Sequence, residues 1–294
     1  MNENFIYDLF KPRGETRGVV LIVHGMQEHR ERYEKFINKL LDQNYAVVSY
    51  DLPGHGHHEE LGYFGNDGWN KLVESINDGL EVVENSYKHK VPTVIFSHSM
   101  GTMLMRTFMQ ENDDCFDALV LSGAPNYNGA CKIAQKIGEA VCKVQGDKEY
   151  SKLMETMALG TYNKVVKNPR TNIDWLSYNN ENVDNYMKDD LCGFPFTNRG
   201  YLDLFYGMDR MHDKKSFLVK NPNLPILMIA GHDDPCIGGE KGFSETYDFL
   251  KSVGYLDITR KLEEHMRHEM YHEVNGERVM DEIIDWINVQ IEKK

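Results

Sequence analysis

Short, nearly unbroken apolar runs recur along this chain, separated by stretches long enough for amphipathic helices. The runs are GVVLIVHG (18–25), YAVVSYD (45–51), PTVIFS (92–97), ALVLSGA (118–124) and PILMIAG (225–231). A strand without polar alternation must be covered on both faces, as in a parallel sheet lined by helices. The intervening stretches can supply that cover. RYEKFINKLLDQN (32–44) places Tyr33, Phe36, Ile37, Leu40 and Leu41 at helical spacing. Residues 69–87, 100–112, about 240–253 and 277–291 also read as helices, and LDITRKL (256–262) as a last strand. FIYDLF (5–10) reads as an antiparallel edge strand. Right-handed crossovers then give an α/β fold with a doubly wound, mostly parallel sheet.

Between residues 125 and 215 the alternation stops. CKIAQKIGEAVCKV and SKLMETMALGTYNKVV are amphipathic there, within a segment rich in Lys, Asn, Asp, Tyr and Met. Structureless loops of such length are rare in compact domains. The segment reads as a helical cap (125–215) inserted into a core built from 1–124 and 216–294.

Composition narrows the partners. The formal charge is −13 and the pI about 5.4, which repels phosphate-rich surfaces and argues against nucleic-acid binding. No window approaches about 18 uninterrupted apolar residues, so no integral membrane segment is expected. The N-terminal stretch lacks the basic and apolar regions of a signal peptide. Five scattered cysteines without a C-x-x-C pair suit a reducing, cytoplasmic setting.

One motif points to a metal. His268-Glu269-Met270-Tyr271-His272 reads H-E-x-x-H, which binds zinc when both histidines lie one turn apart on a continuous helix. Here the upstream LDITRKLEE alternates like a strand, and Val274-Asn275-Gly276 marks a turn just downstream. Glu292, the available third ligand, sits on the tail of the last helix. The HGHHEE run (55–60) follows a strand and contains two glycines, so it reads as a turn.

A second constellation competes for His268. The strand PTVIFS runs into SHSMG (97–101), and a helix follows. Strand, sharp turn and helix is the setting of a nucleophile elbow, with Ser99 as the exposed nucleophile and Gly101 as the small residue after it. Ser97 stands where the elbow most often has glycine. The first buried strand ends in HGM (24–26), whose loop can offer a backbone N–H beside that of Met100 to hold an oxyanion. PILMIAG runs into HDDPC, which brings Asp233 and Asp234 to the carboxyl edge of the sheet. The last strand is followed by His268. The order Ser, Asp, His, with each group at the end of a different strand, is that of an α/β-hydrolase.

VHGMQEHRERY (23–33), YDLPGHG (50–56), FSHSMG (96–101), IAGHDDPC (229–236) and RHE (267–269) together resemble the monoacylglycerol lipase and lysophospholipase branch of the α/β-hydrolase superfamily. That branch overlaps the serine aminopeptidase group, which includes proline iminopeptidase-like enzymes. The resemblance covers nearly the whole chain outside the cap. It implies Ser99 as nucleophile, His268 as base, Asp234 as the acid, and Met26 and Met100 as donors of the oxyanion N–H groups. It makes Asp51, His55 and Glu269 structural. The expected enzyme is a serine carboxylic ester hydrolase acting on a small-molecule acyl ester, such as a monoglyceride or lysophospholipid, without metal or cofactor. An aminopeptidase using the same triad is the alternative. It needs an anionic cap residue for the substrate amine, and Glu139, Glu149, Asp184 and Asp189 are candidates. A zinc peptidase and a non-catalytic binding protein complete the alternatives.

Overall fold

The computed structural model describes residues 5–293. The first half of the core runs β1 (Tyr7–Phe10), β2 (Gly18–Val23), a 3₁₀ turn (Arg30–Tyr33), α1 (Glu34–Asp42), β3 (Tyr45–Tyr50), α2 (Gly68–Ser86), β4 (Thr93–His98), α3 (Met100–Asn112) and β5 (Ala118–Ser122). Four further helices follow before the next strand: α4 (Cys131–Gln145), α5 (Lys152–Leu159), α6 (Asn180–Lys188) and α7 (Asn198–Arg210). The chain then returns to the sheet with β6 (Ile226–Gly231), α8 (Gly239–Val253), β7 (Ile258–Glu263) and α9 (Gly276–Ile291).

The strands form one seven-stranded sheet in the order β1-β3-β2-β4-β5-β6-β7. Among the described residues only β1 is antiparallel, pairing Tyr7 with Tyr50 at one edge. Strands β2 to β6 are buried along their whole length. Alternate residues of each strand feed two separate cores. Val19, Leu21 and Ile95 pack with Leu72 and Ile76 of α2 and with Leu104 and Phe108 of α3. Val20, Ile22 and Phe96 pack with Phe36 and Leu40 of α1 and with Ile283 and Ile287 of α9. Unbroken apolar runs were therefore the right signal, because each strand serves helices on both faces. No helix among the described residues is long and apolar enough to cross a membrane.

Several boundaries differ from the sequence expectation. The stretch 32–44 opens as a 3₁₀ turn because the Arg30 backbone N–H and guanidinium are held by the Asp51 carboxylate. The last strand starts two residues late, since the Leu256 N–H donates to the carbonyl of Pro222 rather than to β6. That strand is the other edge, and its Arg260 and Lys261 are exposed. The stretch 151–166 breaks at Gly160, after which only a 3₁₀ turn (Tyr162–Val165) forms. Helix α7 escaped sequence reading because glycines interrupt it. Gly207 is there for contact: a Cβ would lie 2.3 Å from the Trp69 ring of α2.

The start of α3 crosses β2 at equally close range. A Cβ on Gly101 would lie 2.4 Å from the Val23 carbonyl oxygen and 2.7 Å from that of His24. Both are backbone atoms of the central sheet region and cannot swing aside. Gly101→Ala should therefore cost about 1–3 kcal/mol of overpacking, measured as a lower urea midpoint at unchanged m-value. A variant as stable as the parent would mean that α3 tolerates a shift away from β2.

Candidate active site

The turn between β4 and α3 lifts one side chain above the sheet. Ser99 adopts φ 52°, ψ −119°, a conformation that non-glycine residues rarely hold. Its N–H donates to the Ser122 carbonyl at the end of β5 (3.0 Å), and its own carbonyl receives the Thr102 N–H (2.9 Å). Ser97 does not disturb this turn. Its side chain lies within the sheet and donates to the Val120 carbonyl (2.9 Å), so a small polar residue fits where glycine is commoner.

Ser99 meets His268. Its Oγ lies 2.8 Å from His268 Nε2, and His268 Nδ1 lies 2.8 Å from Asp234 Oδ2. A carboxylate only accepts, so Nδ1 carries the proton and Nε2 accepts from the serine hydroxyl. The second carboxylate oxygen, Asp234 Oδ1, accepts the Cys236 N–H (2.8 Å). Burial disfavours charge on the imidazole, but Asp234 outweighs that effect and, with Cys236 beside it, holds His268 well above the ordinary histidine range. The rings of His98 and Trp175 pack on the imidazole at centroid distances of 4.7 and 5.1 Å. Asp233 turns the other way, accepting from Tyr178 Oη (2.9 Å) and His232 Nδ1 (3.2 Å).

The loop after β2 abuts this group. A Cβ on Gly25 would lie 3.0 Å from the Ser99 Cβ. Met26 and Met100 line the same cavity as Ser99 and His268. The Met100 N–H is the first of α3 and has no partner within its own helix. The cavity measures about 650 Å³. Its upper wall comes from the segment between β5 and β6, including Ile137, Met157, Leu159, Trp175 and Met208.

The H-E-x-x-H residues do not share a helix face. Only Met270–His272 is helical, as a single 3₁₀ turn. His268 faces Ser99, Glu269 faces Arg32, and His272 Nε2 has no hydrogen-bond partner among the described residues.

Arg32 was missed by sequence reading, and it ties the site together. It donates to Glu28 Oε2 (2.8 Å), to Glu269 Oε1 and Oε2 (2.5 and 2.9 Å) and to Asn182 Oδ1 of α6 (3.3 Å). Glu28 in turn accepts the Gly25 N–H (2.6 Å) and the Tyr33 hydroxyl (2.9 Å). The guanidinium also stacks over Tyr186 at 4.9 Å. Burial opposes ionisation of Glu269, but Arg32 holds its carboxyl well below the usual range. The Glu28/Arg32 spacing of four residues was visible in EHRER; the partner at 269 was not.

Removing the cation strands two buried carboxylates. Arg32→Met, which keeps the apolar stem, should lower the unfolding free energy by about 3–5 kcal/mol. Urea titration of the variant beside the parent checks this, and a loss below about 1 kcal/mol would place the pair among ordinary surface bridges.

Residues 14–275 match the sequence profile of the family described as serine aminopeptidase, S33. An abhydrolase domain-containing protein of Dictyostelium discoideum is 24% identical over 96% of this chain, which spans only 27% of that longer protein. The monoglyceride lipase of Mus musculus is 24% identical, with 96% of this chain and 86% of the lipase aligned. Among solved structures, a thermostable carboxyl esterase from Bacillus coagulans superposes with a TM-score of 0.90 at 23% identity, covering 97% of this chain and 94% of the esterase. The chain belongs to the serine aminopeptidase S33 family, within the α/β-hydrolase superfamily.

Proposed function

We propose that this chain is a serine hydrolase of lipid-like acyl esters, a monoglyceride or lysophospholipid among them. The observation that carries the reading is the unbroken path of 2.8 Å contacts from Ser99 Oγ through His268 to Asp234, opening into a largely apolar cavity. Its volume of about 650 Å³ suits a small-molecule ligand, for which about 300–1,000 Å³ is usual. Residues 1–124 and 216–294 act as the hydrolase core, and 125–215 as a cap whose apolar side chains receive the acyl chain. Five unpaired cysteines fit a reducing, cytoplasmic setting.

In this mechanism Ser99 Oγ attacks the acyl carbonyl carbon while His268 Nε2 takes the hydroxyl proton. The Met26 and Met100 N–H groups stabilise the oxyanion that forms. The tetrahedral intermediate collapses, the ester C–O bond breaks, and the departing alcohol receives the proton from His268. Water then attacks the acyl-enzyme, gives its proton to His268 and releases the acid, and Ser99 is reprotonated. Asp234 holds the tautomer and stabilises the imidazolium throughout.

The family name favours a second reading, an aminopeptidase with the same three residues. Such an enzyme needs a free carboxylate for the substrate's amine. Among the described residues lining the cavity, only Glu28 and Glu269 carry one, and Arg32 engages both. Of the four acids that sequence reading offered, Glu139 is bound by Tyr206, Asp184 by Arg170 and Asp189 by His29. None of those three lines the cavity, nor does Glu149. Turnover of p-nitrophenyl esters of graded chain length, set beside aminoacyl-nitroanilides, separates the two enzymes.

Two further outcomes test the residues. Ser99→Ala and His268→Ala should each lower ester turnover by about 10³-fold or more, and a fluorophosphonate should label Ser99 alone. His272→Ala should stay within about tenfold of the parent, roughly 1.4 kcal/mol. A dead His272 variant would restore the zinc reading.

The pH profile is the other check. Only neutral His268 accepts the proton, so kcat/KM should rise with pH through the His268 titration. Because the folded protein raises that titration, its midpoint should lie above the ordinary value of 6.5. Asp234→Asn removes the raising partner and leaves the burial that lowers it. The residual activity, down about 10⁴-fold, should then show a lower midpoint. Asp233→Asn should cost much less and leave the midpoint in place. A reversed pair of effects would exchange the two aspartates' roles.

A further inference from the structure

We propose that Asp234, Cys236 and His268 form a binding site for a soft divalent cation such as Zn²⁺ or Cd²⁺, through which the metal switches the enzyme off. The ligand atoms of the three side chains lie within 4.8 Å of one another, and all three residues are buried. A carboxylate, a thiolate and an imidazole make a common donor set for zinc, and the two anions neutralise its charge. Tetrahedral bonds of about 2.0–2.3 Å place such donors roughly 3.3–3.7 Å apart. The Asp234–His268 contact of 2.8 Å therefore opens by about 0.5 Å to admit the ion. Cys236 and His268 both line the cavity, so the ion enters by the substrate's route.

The Cys236 thiol neither attacks the ester nor carries its proton in that mechanism, although it stands beside His268. Burial pushes its thiol up to about 11, so without metal it rests protonated and is a poor nucleophile. Metal binding displaces that proton to solvent as the sulfur–metal bond forms. Below the His268 midpoint a second proton leaves the imidazolium as the nitrogen–metal bond forms; above it the neutral ring gives up none. The metal takes Nδ1, the nitrogen that faces Asp234, and the remaining ring proton sits on Nε2, so the imidazole loses the lone pair that Ser99 needs. The inhibition rests on the proposed role of His268; occupancy of the site does not.

A second cluster, His29, Asp189 and Cys192, meets the same distance criterion and serves as a control. Its Cys192 lies in the field of the Arg32 guanidinium, which opposes a cation.

The experiment uses the full chain after chelator treatment. Cadmium titration should produce the ultraviolet charge-transfer band of a cadmium thiolate in the parent and in Cys192→Ser, but not in Cys236→Ser. Zinc at ~10 times its Kd should lower the parent's ester turnover about tenfold. The rate ratio with and without zinc should be near one in Cys236→Ser, and comparing ratios within each protein removes any change in basal rate. No band in the parent, a band retained in Cys236→Ser, or equal zinc inhibition in both proteins overturns the site. A parent without ester turnover would instead sink the hydrolase reading, and the cadmium band would still decide whether the metal binds.

Discussion

The backbone at Ser99 is the constraint on which the site depends. A non-glycine residue at φ 52°, ψ −119° costs about 1–3 kcal/mol, and surrounding structure must hold it there. The hold comes from both sides. Strand β4 is hydrogen-bonded between β2 and β5, and α3 presses Gly101 against the carbonyls of Val23 and His24. Between two such fixed bodies the chain has one way to turn. The strain also aims the side chain, because Ser99 Oγ projects off the sheet toward His268 (2.8 Å).

Arg32 performs a comparable task with charge. It sits in the turn before α1 and reaches the β2 loop through Glu28, the His268 loop through Glu269 and α6 through Asn182. Three segments far apart in the chain thus share one buried cation. Buried ion pairs are expensive to desolvate, and this one lies where small displacements matter most. Glu28 also receives the Gly25 N–H, so the same cation indirectly orients the loop that carries Met26.

Much of this was legible in the sequence, for identifiable reasons. The five buried strands were plain because a strand covered on both faces carries its signal without partners. Ser99, Asp234 and His268 were legible because each ends a different strand, and the sheet gathers strand ends on one edge. The resemblance singled out Asp234 rather than Asp233, and the structure turns Asp234 toward His268 and Asp233 toward Tyr178. Arg32 was hidden because its decisive partner lies 237 residues away. The wall of the cavity was hidden for another reason. Its residues include Met, Leu, Ile and Trp, and such residues look alike whether they line a void or fill one.

The exposed charges on β7 bear on a different matter. A terminal strand offers free backbone groups to any passing chain, and sheets with bare margins template fibrous growth. Here the outer positions carry Arg260 and Lys261, the second paired with Glu263 and Glu282. An added strand would have to bury those charges or break their pairs. At the opposite margin β1 is only four residues long, too brief to nucleate a stable new pairing. The sheet ends at seven strands in part because both borders make an eighth, borrowed from a neighbouring molecule, unprofitable; the fold carries its own defence against aggregation.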